Sequence, residues 1–251
     1  MKNQSTSLKV WTLVWALAFN VPWSPAWAVE KVSKKGDLDL GPSIKIMTSF
    51  FLVTVSALYL TQNLEGVSVQ GLVAPSTGCL HDFHLSMAEA KALNVTQEIL
   101  VNGLGIESFL KKTNIRQISS TEGISLIFDK QAFDKQSANP HVWVSPKQYL
   151  IQISNIYKYI ESKIKRESYL DSNSEHQIGF ESRLKILDSN FSSYRNEILN
   201  IQSQFQNLAA KIPNKKIITF HEAYAYWAQE FGFEVLSTVN AESEPSAQDL
   251  A

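Results

Sequence analysis

The sequence predicts an α/β protein of two lobes with parallel sheets, joined by one long helix, the second lobe incomplete. Three observations predict this. Short apolar runs alternate with helical patterns from Ile44 to Ile118, as in β–α–β units around a parallel sheet. Glu175 to Ala210 has no proline, has glycine only at Gly179, and repeats apolar residues at helical spacing. A second β–α–β pattern starts after Pro213 and stops at Ala251.

Taken in order, residues 1–28 read as a secretory signal peptide. Lys2 and Lys9 give a positive start, Val10 to Val21 is an apolar stretch too short for a comfortable membrane span, and Ala26-Trp27-Ala28 is a cleavage sequence. The mature chain is expected to begin at Val29 and to be periplasmic. Residues 29–43 are polar and read as a flexible leader. An N-terminal lobe is expected over 44–173. Its strands are Ile44 to Phe50, Val67 to Val73, Glu98 to Val101 and Ile115 to Ile118. Its helices are Val53 to Leu64, Met87 to Leu93 and Ile106 to Lys112. Ser86 with Glu89 three residues on is a capping box for the second of these.

Thr121 to Asn139 has no clear period and reads as a surface loop. Pro146 opens a helix to about Lys165, with Leu150, Ile153, Ile156, Tyr157 and Ile160 on one face. The long helix is assigned to 174–212. At 1.5 Å per residue it would reach ~50 Å, which suits a strut between lobes better than a helix inside one small domain. Residues 213–251 read as the start of a C-terminal lobe: strand Ile217 to Phe220, helix Ala223 to Phe231, strand Phe233 to Val239.

Composition removes several function classes. The chain has 251 residues and a formal net charge of -1, so no basic surface argues for nucleic acid. Loss of residues 1–28 removes two lysines and no acid, leaving 21 basic and 24 acidic residues, net -3. A single cysteine, Cys79, excludes an intrachain disulfide and a Cys-rich zinc finger. A metal site must then be built mainly from His, Asp and Glu. His221-Glu222 begins like H-E-x-x-H, but position 225 is alanine, and Gly103-Leu104-Gly105 lacks the third glycine of a dinucleotide turn, where Ser108 stands. No nucleophile elbow or Walker sequence occurs.

The stretch Gly78 to Leu110 organises the chemistry. It holds His81 and His84, then the strand Glu98 to Val101, then an Asn-Gly-Leu-Gly turn at 102–105. Ligands of open α/β sheets bind beyond the strand ends, where these residues are expected to lie. His81, His141 in Asn-Pro-His-Val-Trp, and His221 after Phe220 all sit at the ends of strand or loop segments. Three neutral imidazoles and one oxygen make an ordinary tetrahedral Zn²⁺ site. Any one of them alone would read as a hydrogen-bonded structural residue. His84 reads as a rim residue, His176 as a solvated helix residue, and Cys79 as a structural thiol.

These pieces, GCLHDFHLS with ILVNGLGIESFL, NPHVWVSP and ITFHEAYAYWAQEFG, resemble the zinc/manganese-binding receptors of bacterial ABC importers, the ZnuA/TroA-like family. The resemblance runs from Ile44 to the end. It implies metal ligands at His81, His141 and His221, a rigid helix between the lobes, and no enzymatic activity. The implied function is capture of Zn²⁺, with Mn²⁺ as the other cargo, and delivery to an ABC permease by a monomer. Three histidines rather than a carboxylate at the third position suit Zn²⁺ better than Mn²⁺.

Two departures stand out. The family's fourth ligand, usually an Asp, lies beyond Ala251, so the chain is expected to be truncated by one or two β–α units, with Glu242, Glu244 or Asp249 as poor substitutes. The His-rich loop of many zinc-specific members is absent, because 122–138 contains no histidine. Rival readings are an iron-chelate or cobalamin receptor on a similar scaffold, a metallohydrolase using Asp82 or Glu222 as base, and a non-functional truncated product. Only four arginines, Arg116, Arg166, Arg183 and Arg195, are available to the first rival.

Overall fold

A computed structural model describes residues 44–74, 80, 83–128, 137–170 and 174–239, with only the backbone at 169–170 and 174–178. The signal, the leader, Cys79, His81, Asp82 and the three C-terminal carboxylates lie outside these residues.

Four parallel strands form the first sheet: β1 (Ile44–Thr48), β2 (Val67–Gly71), β3 (Glu98–Val101) and β4 (Arg116–Ser119). Their order is β2-β1-β3-β4, with Ile44 opposite Val67, Met47 opposite Ile99 and Glu98 opposite Arg116. Strand alternation splits the side chains between two faces. Ile44, Ile46 and Leu100 enter the larger core, whereas Met47, Ile99 and Val101 enter a smaller one. The larger core is closed by α1 (Phe51–Leu60), α3 (Pro146–Leu170) and α4 (Ser174–Ala210); α2 (Met87–Asn94) supplies Leu93 to the other. The Ser86–Glu89 capping box forms as expected.

Helix α3 presents Ile153, Ile156, Ile160 and Ile164, all fully buried, along one stripe. Helix α4 answers with Leu187, Tyr194 and Ile198. Hydroxyls bind the three helices as well: Tyr149 Oη lies 2.7 Å from both Ser56 Oγ on α1 and Tyr194 Oη on α4. At 37 residues α4 is about 55 Å long. Its distal part meets the second half of the fold, where Phe205 touches the rings of Trp227 and Phe231. That half holds β5 (Lys216–Thr219), α5 (Ala225–Phe231) and β6 (Glu234–Thr238), with β5 and β6 parallel and a bulge after Ile217.

The structure departs from expectation in three places. Ile106 to Lys112 is not an α-helix; only Ser108–Leu110 makes a 3₁₀ turn. Glu107 there turns inward to bind the backbone of residues 102 and 103, which holds the segment as a knot and leaves no room for a helix. The first helix ends at Leu60 rather than Leu64, since Thr61 Oγ1 donates back to the Ala57 carbonyl and Asn63 takes φ 59°. Helix α3 runs on to Leu170 rather than ending at about Lys165. The described parts of the 121–139 segment contain no helix or strand, as expected of a loop, and are pinned where Phe128 bridges Ala138 and Asn139 N donates to the Ile127 carbonyl at 2.8 Å.

Candidate metal centre

Strand order reverses between β1 and β3, so a crevice opens beyond their carboxyl ends. One carboxylate closes its floor. Glu107 Oε1 accepts from Ser49 Oγ, just after β1, and from Asn102 N, just after β3, each at 2.7 Å; Oε2 accepts from Gly103 N at 3.1 Å. Burial raises the Glu107 pKa above the ordinary carboxylate value, and these donors oppose the rise without cancelling it. Gly103 takes φ 91°, and a Cβ there would lie 2.5 Å from Ser119 Oγ, so only glycine fits. Leu104 beside it is held at φ 59°, unusual for a bulky residue.

Asn102 carries the crevice on to His141. Its Nδ2 donates to the Pro140 carbonyl at 3.1 Å, and its Oδ1 accepts from buried Gln152 on α3 at 2.8 Å. Pro140 has no N–H, so the loop is anchored through its carbonyl. His141 follows, buried at 5% exposure, just before the 3₁₀ turn Val142–Val144. Asn139 Nδ2 donates to the Glu222 carbonyl at 2.9 Å, so the Asn139 Oδ1 must face the imidazole. That oxygen accepts from His141 N and lies 3.0 Å from His141 Nδ1. Nδ1 therefore carries the hydrogen, and Nε2 keeps the lone pair a metal needs.

His221 comes from the other half of the fold, after β5. Its ring and that of His141 meet edge to face, with centroids 4.8 Å apart. Unlike His141 it is exposed. His221 Nδ1 accepts from Ala223 N at 3.1 Å and caps the 3₁₀ turn Glu222–Tyr224 that leads into α5. An accepting Nδ1 places the hydrogen of a neutral ring on Nε2. Coordination through Nε2 therefore requires His221 to give up this cap, a loss of about 1 kcal/mol.

Two of the three expected ligands thus meet, and His81 lies outside the described residues. Among the described residues no three His, Cys, Asp or Glu side chains form a group able to hold a metal. His84 is exposed ahead of α2, and the side chain of His176 is not described. Two clefts of about 370 and 560 Å³ flank β4, and neither is lined by His141 or His221. A bare ion held at an open junction needs no enclosed volume.

Known proteins share the family and the fold. The model of the family "Zinc-uptake complex component A periplasmic" matches residues 46–179 and 180–251. The chain belongs to this family. It is similar to the iron-binding protein YfeA of Yersinia pestis, 23% identical over 245 residues that span 94% of this chain and 72% of the relative. It is also similar to the zinc-binding protein TroA of Treponema pallidum, 22% identical across 73% of this chain and 57% of that one. A solved manganese-bound periplasmic metal-binding protein from Candidatus Liberibacter asiaticus superposes with a TM-score of 0.63 at 25% identity, covering 81% of this chain and 72% of that one. The chain thus spans only part of each relative's length.

In this member of the zinc-uptake component family, several supporting residues escape a reading of the sequence alone. Tyr226, on α5, is 1% exposed; its hydroxyl donates to the Asn139 carbonyl at 2.9 Å and accepts from Ile127 N at 3.1 Å. One phenol thereby fastens the His141 loop to the half that carries His221. The only sequence signal is an aromatic run, Tyr224 to Trp227, which reads equally well as core. Glu107 leaves a clearer trace: an acid amid apolar residues, three positions after an Asn-Gly-Leu turn.

Proposed function

We propose that this protein captures one divalent transition-metal ion in the periplasm and delivers it to the membrane permease of an ABC importer. Zn²⁺ is the preferred cargo and Mn²⁺ the second. The observation that carries this reading is the meeting of His141 and His221 at 4.8 Å from opposite halves of the fold, with the His141 tautomer set for ligation by Asn139. His81, in the segment between β2 and α2, is proposed as the third ligand. Imidazole nitrogens favour Zn²⁺ over the harder Mn²⁺. The relatives' names divide between iron, zinc and manganese, so the donor set of this chain has to decide.

The chain acts as a binding protein and not as a catalyst, in keeping with its family. We further propose export with cleavage after Ala28, function as a monomer, and lobes at 44–173 and 213–251 bridged by a helix over 174–212. Among the described residues no helix is long and apolar enough to cross a membrane.

The test is competitive titration of the purified chain with Zn²⁺, Mn²⁺ and Fe²⁺ against a chromophoric chelator. Zn²⁺ is expected to bind at micromolar Kd or tighter, ahead of Mn²⁺. Protons compete for imidazole, so affinity is expected to fall steeply below about pH 6. Failure of all three metals to bind would sink the reading, and an affinity flat from pH 7.5 to 5 would remove the histidines from it.

A further inference from the structure

We propose that Glu230 is a positioning residue for the metal centre: its carboxylate ties α5 to the start of α3 and thereby sets the gap between His221 and His141. The proposal rests on the reading of those two histidines as ligands.

Two elements converge on this one side chain, which is carried by a third, α5. Glu230 Oε2 accepts from Ser145 Oγ at 2.5 Å and from Lys147 N at 3.2 Å, both at the start of α3. Its Oε1 accepts from Gln202 Nε2, on the distal part of α4, at 2.6 Å. Ser145 is satisfied in turn, since its Oγ also accepts from Gln148 N at 3.3 Å. The first N–H groups of a helix have no partner within it, and the partial positive charge there favours an anion. Here the anion comes from a distant segment, so it stabilises α3 only when α5 is in place.

The positions explain why this bears on the metal. Ser145 is joined to His141 by a single 3₁₀ turn, Val142–Val144. Glu230 is joined to His221 by the turn Glu222–Tyr224 and the helix α5. Both paths are short and hydrogen-bonded, so the carboxylate fixes their separation. Tyr226 and Asn139 make the near contact between the same two segments, and Glu230 makes the far one. Two points of attachment stop α5 from pivoting, as one would not. His221, exposed on its turn, depends on that restraint more than buried His141 does.

The chemistry separates two substitutions. Glu230→Ala removes all three bonds. Glu230→Gln keeps an oxygen for Ser145 and Lys147 and turns its amide toward Gln202, which can flip its own amide and accept. The wild-type chain, Glu230→Ala, Glu230→Gln and a remote control, Tyr157→Phe, would be titrated with Zn²⁺ and loaded with Co²⁺. Tyr157→Phe loses the 2.6 Å bond to Asp188 between α3 and α4, away from the centre. Glu230→Ala is expected to release Zn²⁺ about tenfold faster and to shift the Co²⁺ visible bands, as loss of an outer support does. Glu230→Gln should restore both, and Tyr157→Phe should change stability alone. If Glu230→Ala does not fold, Ser145→Ala, which removes the shorter of the two bonds from the start of α3 to Glu230, is read in the same way. Wild-type binding with unchanged release and an unchanged Co²⁺ spectrum in the Glu230 alanine variant, or in Ser145→Ala where that stands in, overturns the proposal. A wild-type chain that binds no metal instead overturns the functional reading beneath it.

Discussion

The two sheets offer their candidate ligands very different ground. The four-stranded sheet has helices on both faces, and its central side chains Ile46, Ile99 and Leu100 are at most 1% exposed. The two-stranded sheet leaves Ile218 60%, Phe220 70% and Leu236 54% exposed. His141 stands in the loop before α3, tied to the end of β3 through Asn102 and Pro140, buried, with its tautomer fixed by Asn139. His221 stands on the second, exposed, and caps a turn with the nitrogen opposite to the one His141 would use. One candidate is prepared for a metal and the other must adjust. Local stability follows buried apolar contact, so metal binding is expected to order the second sheet more than the first.

The sharpest way to break this contrast is to remove each ligand. Zinc sites of four ligands are worth about 10–16 kcal/mol, so a single imidazole carries about 2.5–4 kcal/mol. His141→Ala and His221→Ala are each expected to weaken Zn²⁺ binding by a factor of roughly a hundred to several hundred. They should differ in a second readout. His141→Ala empties a buried position and lowers the stability of the metal-free chain the more, whereas His221→Ala, at an exposed position, loses only the turn cap, about 1 kcal/mol. His84→Ala and His176→Ala should bind like wild type. Calorimetric titration with thermal melts of all four decides this, and a His221 variant with wild-type affinity would end the assignment.

A slightly smaller effect separates the two cores. Leu187 on α4 is fully buried against the helices over the first sheet, and Leu187→Ala is expected to cost about 3 kcal/mol in urea unfolding. Leu236→Ala, on the open sheet, should stay within about 0.5 kcal/mol. Equal costs would mean that the second sheet is covered after all.

How much of this was legible in the sequence depended on whether the signal was local. Strands β1 to β6 and helix α4 followed from short apolar runs and from helical spacing, signals carried within each segment. The capping box before α2 needed only Ser86 and Glu89. Asn-Pro before His141 marked the loop but not the role of Asn139, whose amide is oriented by a carbonyl 83 positions away, at Glu222. Tyr226 and Glu230 were illegible for the same reason, since their partners lie across the fold. The false helix at Ile106 to Lys112 came from trusting an apolar pattern where a buried acid had taken over the backbone donors.

That acid gives the smallest and most specific test. The folded pKa of Glu107 is raised, chiefly by burial. A raised carboxylate binds its proton more tightly folded than unfolded. Its contribution to stability is therefore full below the unfolded value, near 4.5, and is lost as pH rises through the folded one. Glu107→Gln cannot titrate. Its single oxygen can serve Asn102 or Gly103 but not both, so the variant should be less stable than wild type by about 1–3 kcal/mol. The gap between the two should narrow as pH rises from 4 toward neutrality, because only wild type loses the proton-linked part. Urea unfolding of both chains across that range measures it. A gap that widens with pH would mean that the Ser49, Asn102 and Gly103 donors outweigh burial, making the crevice floor an anion site built to hold its charge.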